Sequence, residues 1–351
     1  MLDAAQFREL VSGRRRGGLA ALARGLLAVA SWPYALVVAT RNACYDWRLA
    51  KVKRVAVPVV SVGNLTLGGT GKTPLVEWLV RWFQARGVRV AIISRGYKAR
   101  PGAPNDEALE LAGRLPGTPH VQDPRRVVAA ERAIRAHGAE LLVLDDAFQH
   151  RRIHRDLDIV LLDALEPFGY ERVFPRGMLR EPMSELKRAG AVILSRSDAV
   201  SDQQREAVRQ RVRRLAPKAI WLEVVSKPSG LRSATGAGAD VGQLAGQRVA
   251  AFCGIGNPAG FRHTLDSLGC RLIDVREFPD HHSFETADLD ALCRWAAGLE
   301  NVAAVLCTHK DLVKINVSQL GVVPLWAVTI ELEITAGREE FERELVRLFE
   351  A

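Results

Sequence analysis

The stretch "SVGNLTLGGTGKTPLVEWL", residues 61–79, decides the fold of this 351-residue chain. An apolar run comes before a glycine-rich turn and an amphipathic helical pattern comes after it, which is the strand–turn–helix order of a phosphate-binding loop. The usual spelling of that loop places a Gly six residues before its Lys. Here the Lys is Lys72, and Thr66 stands in the position of that Gly. The context therefore predicts a phosphate-binding loop with an unusual spelling.

Glycines inside the turn supply the flexibility that the missing one would have given. They let backbone N–H groups approach phosphates at the positive end of the following helix. In this class of loop the Lys reaches the outer phosphates, and the hydroxyl of the next residue binds Mg²⁺. The alternative is a glycine-rich turn that binds no ligand. The predicted nucleotide-binding residues are Thr66, Gly68, Gly69, Thr70, Gly71, Lys72 and Thr73, with Thr73 also a Mg²⁺ ligand.

A second motif, "LLVLDDAFQH" at residues 141–150, is an apolar strand that ends in two acids. Asp145 and Asp146 fit the metal-holding strand of phosphate-loop enzymes, although many other strands end in Asp. The polar and basic residues that follow lie at the strand end where open α/β sheets bind ligands. Candidates for substrate or phosphate contact, with simple solvation as the alternative, are Gln149, His150 and Arg151.

Strand-like and helix-like patterns alternate from Arg54 onward, and a second such series begins near Lys227. This alternation predicts an α/β fold with mostly parallel sheets that are covered by helices on both faces. Residues 226–240, rich in Ser and Gly, are the predicted joint between the two series. We expect an N-terminal segment at residues 1–50, a nucleotide-binding domain at 51–226 and a C-terminal α/β domain at 227–351.

The N-terminal segment combines an apolar stretch, residues 18–40, with flanking basic residues. Residues 1–54 carry ten Lys or Arg against three Asp or Glu, a net charge of +7 out of +9 for the whole chain. Because the charge is local and not spread over a folded domain, nucleic acid is disfavoured as a partner. The uncharged run at residues 25–40 is shorter than the roughly 20 residues of a spanning helix, and Pro33 is expected to kink it.

Three interpretations of this segment compete: a membrane anchor, a cleaved signal peptide and an ordinary core helix. A signal peptide is disfavoured because basic residues also follow the segment and a nucleotide-site motif comes directly after it. An amphipathic helix on a membrane surface fits better, with Trp32 and Tyr34 at headgroup depth. The flanking basic residues would then face anionic lipid at the cytoplasmic side.

The five cysteines are scattered and form no C-x-x-C pair. This spacing argues against a zinc site or a disulfide framework and favours a reducing compartment, with the cysteines as small apolar side chains.

Two further runs, "ILSRSD" at 193–198 and "LCTHKD" at 306–311, are apolar strands with polar tails. They have some likeness to the N-K-x-D guanine-reading loop of GTPases, but neither matches it. A guanine-specific site is therefore disfavoured, and both runs are interpreted as strand-end loops.

Two segments carry groups suited to proton transfer. Asp106 and Glu107 are adjacent acids, and Asp280, His281 and His282 are consecutive. A kinase that acts on a hydroxyl can use a carboxylate, or a carboxylate-oriented His, to take the proton. The alternatives are an acidic pair at a helix N-terminus and a structural His pair.

Seven blocks taken together resemble the tetraacyldisaccharide 4'-kinase family of lipid A biosynthesis in Gram-negative bacteria. They are "GNLTLGGTGKTP", "SRGYKAR", "DDAFQHRRIHRDLDI", "FPRGMLREP", "GIGNPAGF", "FPDHHSF" and "THKD", in this order behind a basic apolar N-terminus. The family's loop also has Thr at the position of Thr66. The resemblance implies ATP- and Mg²⁺-dependent phosphorylation of the 4'-hydroxyl of tetraacyldisaccharide 1-phosphate, which gives lipid IVA.

The resemblance also implies a location, partners and a fold. The enzyme is expected at the cytoplasmic face of the inner membrane, with a lipid substrate and the membrane surface as partners and no obligate protein partner. The fold it implies is two α/β/α domains joined by a small linker, with the active site in the cleft between them.

Residue roles follow from the same resemblance. Lys72 and Thr73 take the phosphate and Mg²⁺ roles, and Asp145, Asp146 and Glu107 are assigned to the metal. The family's catalytic Asp lies in a Gly-Asp-Glu-Pro block, which corresponds here to 105–108 with Asn105 and Ala108 as departures. That block makes Asp106 the proton acceptor, paired with His281 across the closing domains. Arg176 and Arg180 are candidates for the substrate's 1-phosphate or for an interdomain ion pair.

Two other functions are compatible with a phosphate loop. One is a GTPase switch or metallochaperone, which lacks a clean N-K-x-D here. The other is a soluble small-molecule kinase or ligase, which leaves the N-terminal segment unexplained.

Overall fold

The computed structural model describes residues 4–96, 106–280 and 282–350. The chain divides into two compact units. Unit 1 comprises Met1–Tyr97, Leu115–Val225 and Ile334–Ala351, and unit 2 comprises Lys98–Arg114 and Ser226–Glu333. The sequence predicted contiguous domains, whereas here residues 98–114 group with unit 2 and residues 334–351 return to unit 1.

The regular elements alternate along most of the chain. The helices are α1 (Ala4–Ser12), α2 (Gly18–Asp46), α3 (Lys72–Gln84), α4 (Asp106–Arg114), α5 (Arg126–His137), α6 (Asp202–Leu215), α7 (Pro258–Asp266), α8 (Thr286–Ala297), α9 (His309–Ile315) and α10 (Arg338–Glu350). The strands are β1 (Val59–Asn64), β2 (Val90–Ser94), β3 (His120–Gln122), β4 (Leu141–Asp145), β5 (Leu157–Asp163), β6 (Ala191–Ser195), β7 (Ile220–Arg232), β8 (Gly238–Ala239), β9 (Arg248–Cys253), β10 (Arg271–Glu277), β11 (Ala304–Thr308), β12 (Gln319–Leu320) and β13 (Val323–Ala336).

Unit 1 is built on a parallel sheet with strand order β3–β2–β4–β1–β5–β6–β7. The chain passes to one side of β1 for β2 to β4 and to the other side for β5 to β7. The carboxyl end of β1 therefore lies at a topological switch point, where sheets of this kind bind ligands. All six residues of β1 are buried, as expected for a central parallel strand.

Apolar side chains explain why the unit 1 helices pack on this sheet. Alternate residues Val160 and Leu162 of β5 share a cluster with Val212 of α6. Helix α3 buries residues that repeat at helical spacing, and its Trp78 stacks on Phe341 of α10 at 6.0 Å between ring centroids. The last contact holds the C-terminal helix in unit 1.

Unit 2 has its own parallel strands, in the order β10–β9–β11–β13, with β12 antiparallel to β13. Phe252, Trp295 and Leu325 belong to one of its cores. Helix α4 packs on α9 within this unit.

The predicted joint at 226–240 is largely β-structure. Strand β7 runs on to Arg232 and turns back antiparallel to β8, with Leu231 opposite Ala239. The long segment of unit 2 begins at Ser226, the first residue of this predicted joint.

Helix α2 extends the predicted N-terminal helix to Asp46 and continues through Pro33. Among the described residues it is the one helix long and apolar enough to cross a membrane, judged by length and composition. An 18-residue stretch of this helix has a mean hydropathy of 1.5, and only 6% of that stretch is buried.

Candidate functional site

The glycine-rich loop connects β1 to α3 at the carboxyl edge of the unit 1 sheet. The buried side chain of Asn64 donates from Nδ2 to the carbonyl of Thr66 at 2.8 Å, which turns the chain as the strand ends. Gly68 and Gly71 have φ values of 115° and 86°, in the region that favours glycine. The missing Gly at position 66 is therefore offset by glycines where the backbone needs them.

Lys72 begins α3 and points back over the loop. Its Nζ lies 3.3 Å from Asn64 Oδ1 and 3.5 Å from Asp146 Oδ1. Asp146 also accepts two hydrogen bonds of 2.9 Å from Arg180. Desolvation opposes ionisation of Asp146, but the charges of Lys72 and Arg180 outweigh it and hold its pKa well below the usual range. The two predicted motifs thus meet through an ionised carboxylate.

Residues 178–180 support the loop from one side. Leu67 N donates to the Met178 carbonyl and Arg180 N donates to the Leu65 carbonyl, both at 2.7 Å. Thr66 and Leu179 form the antiparallel bridge between these two bonds. The segment that carries Arg180 is therefore a short β-partner of the loop.

The run at 193–198 supports the loop from another side. Ser195 Oγ donates to the Thr70 carbonyl at 2.8 Å, and Arg196 donates to the Gly69 carbonyl at 3.2 Å. Arg196 also pairs with Asp163 at 2.9 Å. This run was interpreted as a strand-end loop, and in the structure it holds the backbone of the glycine-rich turn.

The donor set fits a triphosphate with Mg²⁺. Thr70 is 2% exposed, and its Oγ1 has no hydrogen-bond partner among the residues that the structure describes. A buried hydroxyl without a hydrogen-bond partner destabilises the fold unless a ligand supplies that partner. In the described part of the chain no group of three or more His, Cys, Asp or Glu could hold a metal alone. Mg²⁺ in nucleotide sites uses one or two carboxylates and completes its shell with phosphate and water, which this arrangement permits.

The remaining acids and bases of the strand-end motif are placed as follows. Asp145 is buried at 4% exposure beside Arg126, which is buried at 3% and attracts both acids electrostatically. Burial and nearby arginines, Arg126 among them, lower the pKa of His150 to about 4. His150 is therefore neutral at pH 7 and offers a substrate one N–H donor without a positive charge.

The other substrate candidates, Gln149, Arg151 and Arg176, contact the end of β1 or the N-terminal helices. Gln149 donates to the carbonyl of Asn64 at 2.9 Å. Arg151 donates to the Asn42 carbonyl at 3.1 Å and pairs with Asp46 at 2.6 Å. Arg176 donates to the carbonyl of Val11 at the end of α1 at 3.1 Å.

The predicted proton-transfer residues lie largely outside the described part of the structure. His281 is not described, and of Asp106 and Glu107 only the backbone is described, at the start of α4. Helix α4 belongs to unit 2, as does the segment 226–333. The predicted domain bounds placed residue 106 within 51–226, whereas in the structure its helix groups with unit 2.

His282, the neighbour of His281, has a structural role. Its Nε2 lies 3.0 Å from Asp288 Oδ2, whose carboxylate also caps the start of α8. Its ring packs against Phe278 and Phe284, each 4.9 Å away between centroids. These contacts hold His282 in place.

Sequence reasoning missed three buried polar residues of the site: Asn64, Arg126 and Glu181. A polar residue inside or beside an apolar run is a signal for such groups, since an unpaired polar group would not be tolerated there. The sequence does not show which partners satisfy them.

Comparison with known proteins gives consistent results. A model of the tetraacyldisaccharide-1-P 4'-kinase family matches residues 23–350. The tetraacyldisaccharide 4'-kinase of Anaeromyxobacter dehalogenans (strain 2CP-C) is 40% identical, over 94% of this chain and 92% of the relative. That of Syntrophus aciditrophicus is 35% identical, over 88% of this chain and 89% of the relative. A crystal structure of LpxK from Aquifex aeolicus in complex with ATP is similar with a TM-score of 0.72 and 28% identity, and the match covers 93% of this chain and 99% of that one.

Proposed function

The chain belongs to the tetraacyldisaccharide 4'-kinase family, and from that premise we propose how its residues perform the reaction. The activity is phosphorylation of tetraacyldisaccharide 1-phosphate at its 4'-hydroxyl in lipid A biosynthesis, with lipid IVA as the product. The observation that carries the assignment is the glycine-rich loop with Lys72 at the start of α3, 3.5 Å from an ionised Asp146.

ATP binds at this loop. The backbone N–H groups of Gly68 to Thr73 and the positive end of α3 receive its phosphates. Lys72 exchanges its contact with Asp146 for the outer phosphates and stabilises the charge that develops on the transferred group. The ATP-bound relative supports the choice of nucleotide.

The residues that would hold Mg²⁺ are Thr73, Asp145 and Asp146, with Glu107 as a further candidate. When bound, Mg²⁺ supplies positive charge that neutralises phosphate oxygens. Asp146 is ionised well below neutral pH, so its carboxylate is available for this role throughout the physiological range.

The acceptor hydroxyl needs a base, and we assign that role to Asp106 with His281 as its partner. Support for His281 over His282 comes from the contacts of His282 with Asp288 and two Phe rings, which occupy that side chain. Units 1 and 2 correspond to the nucleotide-binding and closing domains in this proposal. Gln149, His150 and Arg180 contact the substrate's polar head.

The enzyme binds the cytoplasmic membrane surface through α2. From Tyr34 onward the helix is bonded to unit 1, through the Tyr34 hydroxyl and through Asn42 and Asp46. Residues 18–33 are mostly exposed, although Ala20 is buried and Arg24 donates to the Arg15 carbonyl. These 16 residues at 1.5 Å each span about 24 Å, less than the roughly 30 Å hydrocarbon core. The helix therefore lies along the surface. Its exposed apolar residues repeat at three- and four-residue spacing: Leu19, Leu22, Leu26, Val29, Trp32 and Leu36.

A product assay tests the function. Purified protein in detergent, with [γ-³²P]ATP, Mg²⁺ and tetraacyldisaccharide 1-phosphate, is expected to give a labelled lipid that depends on all three additions. Lys72→Ala serves as the inactive control. A wild-type preparation that binds ATP but yields no labelled lipid would contradict the proposal.

A further inference from the structure

Helix α2 presents two different faces, and one of them reaches the nucleotide site. The exposed face carries the apolar residues described above. The opposite face carries Tyr34, Val38 and Asn42, spaced four residues apart and therefore aligned on one side of the helix. Val38 is 7% exposed and Asn42 is 2% exposed, so this side is packed against the protein.

Asn42 contacts a fully buried carboxylate. Its Nδ2 donates to Glu181 Oε2 at 2.9 Å, and Glu181 has 0% exposure. The other oxygen of Glu181 accepts from Gln149 and from Arg188, each at 2.9 Å. A buried charge of this kind needs all of its partners, because loss of one leaves an under-bonded carboxylate in a medium of low dielectric constant.

Tyr34 contacts the residue next to Glu181. Its hydroxyl donates to the carbonyl of Arg180 at 2.9 Å. The amide of Arg180 donates to Leu65 at the start of the phosphate loop, and its guanidinium donates to Asp146. One residue is thus bonded to the anchor helix, to the loop and to the metal-site acid.

Gln149 links Glu181 to the end of β1. The same Nε2 that donates to Glu181 donates to the carbonyl of Asn64, the last residue of β1. Asn64 in turn bonds the loop carbonyl of Thr66 and contacts Lys72. Two routes therefore run from α2 to the phosphate loop, one through Arg180 and one through Glu181 and Gln149.

We propose that Tyr34 and Asn42 are positioning residues for phosphoryl transfer, so that the membrane-binding helix also sets the geometry of the nucleotide site. This inference rests on the proposed function of the loop. It predicts that substitutions on the two faces of α2 have different effects. Changes on the exposed face reduce membrane binding, and changes on the packed face reduce turnover.

The test uses the full-length enzyme with single side-chain changes. Tyr34→Phe removes one hydroxyl and keeps the ring that packs 6.0 Å from Phe174. The matched control is Tyr45→Phe on the same helix, where Arg151 lies over the ring at 5.1 Å and the change preserves that contact. Asn42→Leu is the stronger variant, and Leu26→Ser on the exposed face is the control for membrane binding.

We expect Tyr34→Phe to lower kcat about fivefold in the detergent assay, as the loss of one positioning hydrogen bond does. Membrane recovery should be unchanged. Without nucleotide or Mg²⁺, hydrogen–deuterium exchange at the amides of residues 65–67 and 178–180 should become faster. Leu26→Ser should show the reverse pattern, with reduced membrane recovery and wild-type exchange at these amides.

The inference fails if Tyr34→Phe matches Tyr45→Phe in kcat and in exchange at the loop. It also fails if an Asn42→Leu variant that remains folded shows wild-type hydrogen–deuterium exchange at the amides of residues 65–67. Because wild-type turnover is measured in parallel, absence of any lipid product would count against the proposed function, while the exchange data would still test the connection itself.

Discussion

Two segments at strand ends carry polar residues and differ in structure: residues 65–73, called the first loop, and residues 308–311, called the second loop. The first loop follows the buried strand β1 in unit 1. The second comprises Thr308, at the end of the buried strand β11, and the first three residues of α9 in unit 2. Lys72 of the first loop and its partner Asp146, which follows β4, keep 15% and 39% of their side-chain surface exposed. In the second, Asp311 is 0% exposed.

The difference lies in where the polar groups are satisfied. Thr308 Oγ1 donates to Asp311 Oδ2 at 2.6 Å, and the amide of Gly254 donates to the same oxygen at 3.1 Å. Thr308 is also the N-cap of α9. The second tail therefore stabilises its own helix, whereas the glycines of the first hold its polar groups open toward a ligand.

The largest expected effect is on turnover in the first loop. Lys72→Ala should lower kcat by about 10²–10³-fold, equivalent to about 3–4 kcal/mol of transition-state stabilisation. Its melting temperature should remain close to that of the wild type, because Lys72 is not part of a core. Initial rates of lipid phosphorylation measure the change, with the exposed Lys218→Ala as control. Full turnover by the variant would remove Lys72 from the mechanism.

A stability effect is expected in the second loop. Asp311→Ala should destabilise unit 2 by about 2–3 kcal/mol, because it removes the oxygen that accepts from the Gly254 amide and the Thr308 hydroxyl and leaves these donors without their partner. Denaturant unfolding followed by Trp fluorescence measures it, and Asp290→Ala, at an exposed position, is the matched control. Equal unfolding midpoints for the two variants would show that the Asp311 network does not stabilise the fold.

His309 should make the second loop sensitive to acid. Burial, with help from Arg114 and Arg232, lowers its pKa from 6.5 to about 4. As pH falls below 6.5 the unfolded chain binds a proton before the folded chain does, so stability is lost between pH 6.5 and 4. Between pH 7 and 5 the wild type should lose about 2 kcal/mol more than His309→Gln. The exposed His137→Gln should keep the wild-type pH dependence, and identical slopes for all three proteins would rule out this role.

The smallest effect concerns the support of the first loop. Ser195→Ala removes the bond to the Thr70 carbonyl and should raise the KM for ATP about threefold, with kcat within twofold of the wild type. The exposed Ser229→Ala provides the comparison. A KM equal to that of the control would show that the loop holds its shape without Ser195.

The sequence predicted the local parts of this fold well. The β1–loop–α3 unit and the acid-ended β4 depend on residues near each other in the chain, and so do most strand and helix positions. The alternation of these elements also predicted the mixed α/β class with mostly parallel strands.

Long-range features were not predictable in the same way. The grouping of α4 with unit 2 depends on its packing against α9, about 200 residues later. The Glu181 network joins three distant segments through one side chain, and nothing near Glu181 in the sequence names Asn42 or Gln149 as its partners. The run at 306–311 was interpreted as a strand-end loop, and the sequence does not show that its acid, Asp311, is buried and accepts hydrogen bonds from Thr308 and Gly254.

The most direct test of the central claim is a crystal structure with a non-hydrolysable ATP analogue and Mg²⁺. We expect the phosphates on the backbone amides of residues 68–73, with Lys72 Nζ moved from Asp146 to a phosphate oxygen and the 308–311 loop unchanged. Nucleotide bound elsewhere at saturating concentration, with the Lys72–Asp146 pair intact, would contradict the account.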